Sequence, residues 1–487
     1  MTEEAGTSAA PHIGQKVGLW LAPLLGISLL LLPTPEGLTP AAWRVVAIAI
    51  WMGLWWATEA VPIAAAALLP IVAFPLLGVT TLKAATTPYA EPIIFLLLGG
   101  FLIAASLERW GLHRRIALAV LARVGTSPAR LVLGFMIATA FLSMWISNSA
   151  TTMMMAPIAL SVAAVMGGDE ADNQRFAACL LLGICYAASI GGVGTLIGTP
   201  PNVLAAGYLR QTFGLELSFI DWMKVGVPIV LVLTPLTWWL MVRRAIPVRI
   251  SGEAGSATFI AAERARLGPV SRPEWRTALC CIAIALAWMF RPLLADLPGL
   301  GALSDEGLAV GMAMLMFVIP AGSASAPQAR LLDWSAARSV NWGVILLFGG
   351  GLSLAAAMDQ SGLARALGEA LAGLGAWPVI ALVLLLCAVA TYLSEIMSNT
   401  ALVAALLPVL GAGAKASGID PHLLIVPTAI AASCGFMLPA ATGPNAIVFG
   451  TGRIEMRQFI RAGFIVDIAA ILVVALVCSL LVPVVFG

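Results

Sequence analysis

The chain has 487 residues, of which 61% are hydrophobic and only 10% are charged. A water-soluble fold of this size carries about a quarter charged residues. The composition therefore excludes a soluble protein and predicts an integral protein of the lipid bilayer. The 26 Lys and Arg residues against 24 Asp and Glu give a net charge of +2. That balance provides no basic field for nucleic acid, and we expect no nucleic-acid partner.

The predicted elements run from a polar tail into two long apolar halves. An apolar run of about 20 residues crosses a bilayer as a helix, so the predicted fold class is an all-α polytopic membrane protein. One such run, 307–329, predicts a single long span. In chain order the predicted parts are a cytoplasmic tail (1–17), a first span (18–40), a first repeat (41–242), a basic cytoplasmic linker (243–275) and a second repeat (276–487).

Two apolar runs are too long for one crossing, and each contains a polar interruption. The run 131–168 contains Ser147-Asn148-Ser149, and the run 370–414 contains Ser398-Asn399-Thr400. If both are re-entrant hairpins, about eleven spans remain, and 19 of the 26 basic residues fall on one side. Basic residues favour the cytoplasmic side. We therefore expect a cytoplasmic N-terminus and an external C-terminus.

The two halves repeat the same motifs. Ser147-Asn148 recurs as Ser398-Asn399, and Pro201-Asn202 recurs as Pro444-Asn445. Each repeat holds an odd number of crossings, so the second copy enters the membrane from the opposite side. Inverted-topology repeats with broken helices are typical of secondary transporters.

Each half therefore has two polar breaks, a hairpin tip and a Pro-Asn break. At membrane depth, broken helices persist only where they line a cavity or are buried in protein. Their hydroxyl, amide and carbonyl oxygens suit Na⁺, and their helix N-termini suit an anion. No Lys or Arg lies at any of the four breaks. A bound anion would therefore depend on bound cations for its countercharge.

Other interpretations of these residues stand beside the transporter. A Ser-Asn pair in a membrane helix also serves as interhelical packing, but its symmetric repetition favours a binding site. A membrane enzyme needs a catalytic constellation, and no His/Asp/Ser or metal-ligand spacing supplies one. A channel has no need of paired broken helices. We expect a transporter that is not an enzyme and uses no cofactor except sodium as coupling ion. Glu395, close to the second tip, fits either a functional acid or hairpin support.

Several motifs that occur in order from about residue 18 to the end resemble the divalent anion:sodium symporter family. The resemblance implies a homodimer in which a transport domain slides against a scaffold domain in an elevator-like motion. The motifs are Trp55-Trp-Ala-Thr-Glu-Ala-Val-Pro62, Glu91-Pro-Ile-Ile-Phe-Leu-Leu-Leu-Gly-Gly-Phe101, Glu108-Arg-Trp-Gly-Leu-His-Arg-Arg115, Asn341-Trp-Gly-Val-Ile-Leu-Leu-Phe-Gly-Gly-Gly351 and Pro444-Asn-Ala-Ile-Val-Phe-Gly450.

The same resemblance implies ligands at both hairpin tips and both Pro-Asn breaks. One sodium site would use Ser143, Ser147, Asn148 and the Gly198 backbone, and the other would use Ser394, Asn399 and the backbone of Met397 and Ala441. The substrate carboxylates would be bound by Asn148, Ser149, Asn399, Thr400 and Thr442, with Gly443 in the same pocket.

Two residues depart from the family pattern. Ser149 stands where the family has Thr, and Gly443 stands where it usually has Pro. Both changes remove atoms and enlarge the expected anion pocket. The expected function is sodium-coupled symport of small dicarboxylates such as succinate, fumarate or malate, by an elevator-type mechanism in the cell inner membrane. Dicarboxylate exchange, and transport of sulfate or another divalent anion, are the alternatives.

Overall fold

The computed structural model describes residues 13–125, 127–166, 169–247, 256–324, 326–338, 340–371, 373 and 377–486. Within these ranges the regular secondary structure is helical, and extended backbone pairs only in an isolated bridge between Pro320 and Arg330. Nine helical stretches of the described chain are long and apolar enough to cross a membrane. The chain is an all-α polytopic membrane protein, as predicted.

The described part of the first half contains twelve α-helices, with a 3₁₀ turn before α6 and a π turn after α12. Their bounds are α1 Ile13–Leu31, α2 Pro40–Thr58, α3 Ile63–Ala66, α4 Leu69–Leu76, α5 Leu82–Thr86, α6 Pro92–Arg109, α7 Leu112–Val124, α8 Pro128–Ser143, α9 Asn148–Val165, α10 Glu170–Gly192, α11 Pro200–Phe213 and α12 Phe219–Leu240.

The described part of the second half has the same order of elements as the first half: a Gly-rich helix, a short helix, a hairpin, a broken helix and a long helix. Its helices are α13 Ser256–Arg266, α14 Arg272–Met289, α15 Arg291–Ala295, α16 Asp305–Val318, α17 Trp334–Ala337, α18 Trp342–Ser361, α19 Leu363–Leu371, α20 Val379–Ser394, α21 Asn399–Ser417, α22 Pro421–Ala432, α23 Gly443–Phe449 and α24 Met456–Phe486.

Local chemistry explains where many of these helices begin and end. Helix α2 begins at Pro40, where the missing N–H leaves no bond unmade, and the Thr39 side chain accepts a hydrogen bond from the Ala42 N–H at 3.0 Å. Helix α14 begins with a capping box formed by Ser271 and Glu274. Helix α11 ends at Phe213 and is followed by Gly214, whose φ of +68° is accessible to glycine without strain.

The polar interruptions lie where the hairpins and the broken helices were expected. Residues 144–147 turn α8 back as α9, and residues 395–398 turn α20 back as α21. We call residues 193–199, between α10 and α11, the first break. We call residues 433–442, between α22 and α23, the second break. Each hairpin packs beside the broken helix of its own half.

The predicted span over 307–329 is too long. Helix α16 ends at Val318, because Ile319 precedes Pro320 and takes an extended conformation. The chain then doubles back, and the Leu331 N–H donates to the Ile319 carbonyl at 3.0 Å. The end of this apolar run is therefore a folded connection rather than the last turns of a spanning helix.

Part of the basic linker packs under the first half. Arg114 and Arg115 of α7 form ion pairs with Glu263 at 2.6 Å and Glu274 at 2.8 Å. Of the linker, residues 248–255 lie outside the described chain. These ion pairs attach α13 and the start of α14 to α7.

Two groups of helices matter for the site. We call α8–α12 together with α20–α24 the hairpin unit, because these helices pack mainly against one another. We call α2–α6 together with α14–α18 the frame. Helix α10 lies at the centre of the hairpin unit and is buried without interruption from Phe176 to Gly192. The hairpin tips and both breaks lie where the hairpin unit meets the frame.

Candidate functional site

A cavity of about 1130 Å³ opens where the two hairpin tips and the two breaks converge. Nine of the twelve residues predicted as ligands line it, in matched sets from both halves. They are Ser147, Asn148, Ser149, Gly198, Asn399, Thr400, Ala441, Thr442 and Gly443. The other three, Ser143, Ser394 and Met397, are not among its lining residues.

Four helices begin at the cavity wall. Helices α9, α11 and α21 are each at least 14 residues long, and α23 begins at Gly443 beside them. The free N–H groups and the positive dipole ends of helix N-termini favour an anion. Ser147 caps the N-terminus of α9, because its side chain accepts a hydrogen bond from the Ala150 N–H at 3.2 Å. The cavity therefore presents partial positive charge without basic side chains.

The formal charges on the cavity wall are all negative. Glu59 and Glu108 are its charged lining residues, and no Lys or Arg occurs among the described residues that form it. A dianion in this cavity meets neutral donors and acidic neighbours. Cations bound from solution would add formal positive charge to the partial positive charge of the helix N-termini.

The first hairpin tip and the first break form a close cluster of oxygen atoms. Ser143 is fully buried, and its hydroxyl donates to Asn148 Oδ1 at 2.6 Å. A carbon placed on Gly192 would lie 2.6 Å from that same Asn148 oxygen and 3.1 Å from the Gly198 carbonyl oxygen. Three of the four predicted ligands of the first sodium site, Ser143, Asn148 and Gly198, thus meet beside Gly192, where only a glycine leaves room.

The second cluster is built from the corresponding parts of the second half. Ser394 is fully buried, and its hydroxyl donates to the Thr391 carbonyl at 2.7 Å. A carbon on Gly435 would lie 2.8 Å from the Ser394 oxygen and 3.4 Å from Ala441 Cβ. Asn399 Oδ1 is buried and accepts no hydrogen bond from the described residues. An unpartnered buried amide oxygen fits a small hard cation. Met397 lies half-buried in the turn.

Asn202 and Asn445 are functional candidates that the sequence analysis recognised as helix breaks but not as site residues. Asn202 Nδ2 donates to the carbonyls of Gly192 at 3.1 Å and Thr195 at 2.8 Å. Asn445 Nδ2 donates to the carbonyls of Gly435 at 3.1 Å and Leu438 at 3.0 Å. Both side chains are fully buried. Asn202, Gly192 and Thr195 correspond to Asn445, Gly435 and Leu438 at the repeat spacing of 243 residues. This spacing was the signal in the sequence from which the two asparagines could have been identified.

No cluster of His, Cys, Asp and Glu suited to a transition metal occurs within the described ranges. The candidate ligands are hydroxyl, amide and carbonyl oxygens, which suit alkali and alkaline-earth cations rather than zinc or copper.

The chain is similar to known membrane proteins along almost its whole length. The family model described as "Sodium:sulfate symporter transmembrane region" matches residues 15–486. The chain belongs to this symporter family. The match covers both hairpins, both breaks and the linker between the halves.

Relatives within the symporter family match almost end to end. The sodium-dependent dicarboxylate transporter SdcS of Staphylococcus saprophyticus is 41% identical over 483 residues, which is 98% of this chain and 93% of the relative. The protein of the same name in Staphylococcus aureus is 40% identical over 481 residues, covering 97% and 92%. Among solved structures, the Alcanivorax borkumensis YdaH transporter superposes with a TM-score of 0.58 at 15% identity, covering 91% of this chain and 98% of that one. That last likeness concerns the fold alone.

Proposed function

We propose that this protein is a secondary transporter that carries small dicarboxylates, such as succinate, fumarate or malate, together with sodium ions. One observation carries the proposal: both hairpin tips meet in one cavity that has oxygen ligands and helix N-termini, and none of the described residues that line it is basic. The names of relatives at 40% and 41% identity, sodium-dependent dicarboxylate transporters, support the choice of ions.

The proposed coupling follows from the charge of the cavity. Sodium ions bind first at the clusters around Ser143 and Ser394 and supply the positive charge that the wall lacks. The dianion then binds between Asn148, Ser149, Asn399, Thr400 and Thr442, beside the bound cations. Since each ligand raises the affinity for the other by the same factor, neither is carried efficiently alone.

The proposed movement is a displacement of the hairpin unit against the frame. Glu59, Glu108 and Asn341 line the cavity and lie on the side that the charge distribution assigns to the cytoplasm. On the opposite side, Arg210 of the hairpin unit pairs with Glu306 of the frame at 2.8 Å, and Lys415 pairs with Asp359 at 3.0 Å. This arrangement corresponds to an inward-facing state whose external side is closed by ion pairs.

The remaining parts of the proposal concern the cellular setting. We propose that the transporter lies in the cell inner membrane as a homodimer, with its N-terminus in the cytoplasm and its C-terminus outside. The distribution of basic residues between the two sides supports this orientation. It performs no catalysis and binds sodium and substrate as transported ligands.

Uptake into proteoliposomes tests the proposal. Labelled succinate should accumulate with an inward Na⁺ gradient and should not accumulate when K⁺ replaces Na⁺. Equal uptake under both conditions would refute sodium coupling. Uptake that requires internal dicarboxylate, and not sodium, would establish exchange.

Competition separates the possible substrates. Unlabelled fumarate and malate should inhibit succinate uptake at concentrations near their own KM values, and sulfate should inhibit weakly. Strong inhibition by sulfate together with weak inhibition by fumarate would make sulfate the substrate.

A further inference from the structure

Two buried acids hold the second break and have no part in the transport scheme above. Glu395 is 4% exposed and Asp467 is fully buried. The two Glu395 carboxyl oxygens accept from the backbone N–H groups of Met437 at 2.8 Å and Leu438 at 2.7 Å. Asp467 Oδ1 accepts from the Phe436 N–H at 3.1 Å. Three consecutive backbone donors of the second break therefore bond to carboxyl oxygens.

In the first break, two of the three corresponding N–H groups bond to backbone carbonyls rather than to acids. At the repeat spacing of 243 residues, Phe436 corresponds to Val193, whose N–H bonds to the Ile190 carbonyl at 3.3 Å. The next N–H, that of Gly194, bonds to the Gly191 carbonyl at 2.9 Å. Helix α10 continues to Gly192, whereas α22 ends three residues earlier in the repeat, at Ala432. The second break is thus more unwound, and it takes its acceptors from elsewhere in the chain.

The residues that correspond to the two acids are apolar. Glu395 matches Met144 at the spacing of 251 residues that relates the hairpin tips. Gly226 of α12 and Gly463 of α24 occupy corresponding positions. A side-chain carbon on Gly226 would overlap the Val193 carbonyl of the first break, and one on Gly463 would overlap the Phe436 carbonyl of the second break. Four residues beyond these glycines lie Val230 and Asp467. A broken helix of this type therefore forms without a carboxyl pair, and the pair belongs to the second half specifically.

The acids lie beside the second oxygen cluster. A carbon on Gly435 would lie 3.4 Å from Glu395 Oε1 and 2.8 Å from the Ser394 oxygen. On the acceptor side of the same segment, Asn445 Nδ2 bonds to the carbonyls of Gly435 and Leu438. The unwound backbone is thereby fixed through both its N–H and its C=O groups.

We propose that Glu395 and Asp467 are positioning residues for the second sodium site, and this inference rests on the proposed sodium-coupled function. They hold residues 436–438 so that the Ser394 hydroxyl, Asn399 and the Ala441 backbone converge at the distances a cation requires. Ligands of a binding site must be held within about 0.5 Å of the productive geometry. Loosening the second break should therefore weaken sodium binding, while a dicarboxylate bound at saturating sodium is little affected.

Amide substitutions separate positioning from a general need for charge. Glu395→Gln keeps one acceptor and places a donor against the other N–H, so one of two bonds is lost. Asp467→Asn can keep its single bond through Oδ1, whereas Asp467→Leu loses it. We expect Glu395→Gln and Asp467→Leu to raise the half-saturating Na⁺ concentration about tenfold, as for a buried N–H group left without its acceptor. The KM for succinate at saturating Na⁺, and the Asp467→Asn variant as a whole, should stay within about twofold of wild type.

A second measurement does not depend on transport. In detergent without dicarboxylate, Na⁺ should raise the Tm of the wild type, of Asp467→Asn and of Glu369→Gln, an exposed acid on α19 that serves as control. The rise should require about tenfold more Na⁺ in Glu395→Gln and Asp467→Leu.

The inference fails if Asp467→Asn is as damaging as Asp467→Leu, or if Glu395→Gln lowers only the maximal rate at an unchanged sodium requirement. A wild-type protein whose uptake ignores Na⁺ would instead refute the proposed function. If uptake by the wild type depends on Na⁺ but the Glu395 and Asp467 variants have an unchanged sodium requirement, only the positioning role is overturned.

Discussion

Gly443 faces Ser149 so closely that a side-chain carbon at position 443 would overlap the Ser149 hydroxyl. The two residues are distant in sequence, and they are the two positions at which the family resemblance implies a larger residue, Thr for Ser149 and Pro for Gly443. Their contact makes the two departures one feature, since the small residue at 443 leaves the space in which the hydroxyl at 149 lies. Both residues line the proposed substrate pocket.

Filling this space should reduce substrate affinity. We expect Gly443→Ala to raise the KM for succinate about tenfold, because overpacking a close contact costs about 1–3 kcal/mol. The half-saturating Na⁺ concentration should change little. Uptake kinetics of Gly443→Ala, Ser149→Ala and the double variant measure the coupling, and the double variant should be less impaired than the sum of the single effects. Strict additivity would show that the two side chains act independently.

Removal of the Ser143 hydroxyl should weaken the first oxygen cluster. Ser143→Ala deletes the donor to Asn148 Oδ1, and it deletes one proposed cation ligand. We expect the half-saturating Na⁺ concentration to rise about tenfold in titrations of uptake against Na⁺, because a buried polar group left without its partner costs about 1–3 kcal/mol. Thr139→Val is the matched control, because the Thr139 hydroxyl is equally buried one turn earlier and bonds only to its own helix at Phe135. An equal sodium requirement in the two variants would contradict the assignment of Ser143.

Loss of either buried asparagine, Asn202 or Asn445, should have the same effect on transport and stability. Asn202→Leu and Asn445→Leu each leave two break carbonyls without their donor, and unsatisfied buried groups cost about 1–3 kcal/mol each. We expect both variants to lose sodium-dependent uptake and to lower the Tm. Thermal unfolding in detergent, with and without Na⁺, measures the effect. A wild-type sodium response in either variant would show that its break holds its shape without the asparagine.

The external ion pairs should part during transport. Replacing Lys415 and Asp359 by Cys places one thiol on the hairpin unit and one on the frame, at a pair that is 3.0 Å apart at its charged ends. Joining these thiols with a short bifunctional reagent should abolish uptake, and reduction or cleavage of the link should restore it. The half-buried Cys281 is first replaced by Ser, since the other six cysteines are buried.

The control joins two parts of the frame. Cys residues in place of Arg109 and Asp333, an ion pair at 2.6 Å, should be linked without loss of uptake. Full activity after linkage of positions 359 and 415 would exclude a displacement of the hairpin unit against the frame.

Much of this architecture could be predicted from the sequence. The membrane character follows from a composition that cannot cover a soluble surface, and the hairpins follow from Ser-Asn pairs placed inside runs too long for one crossing. Local patterns suffice there, because helix length, polar interruption and charge bias are properties of short segments. The residues at the tips, such as Asn148 and Asn399, were identified for the same reason.

Other features were decided only by the tertiary structure. The hydrogen bonds that Glu395 and Asp467 accept from the second break join residues between 31 and 43 positions apart, and the contact of Ser149 with Gly443 joins the two halves. Unwound backbone must find donors and acceptors wherever packing brings them, and no local pattern states which side chain will supply them. The sequence by itself determined that polar breaks lie in the membrane, whereas the packing of the two halves decided which residues hold them and how much space they enclose.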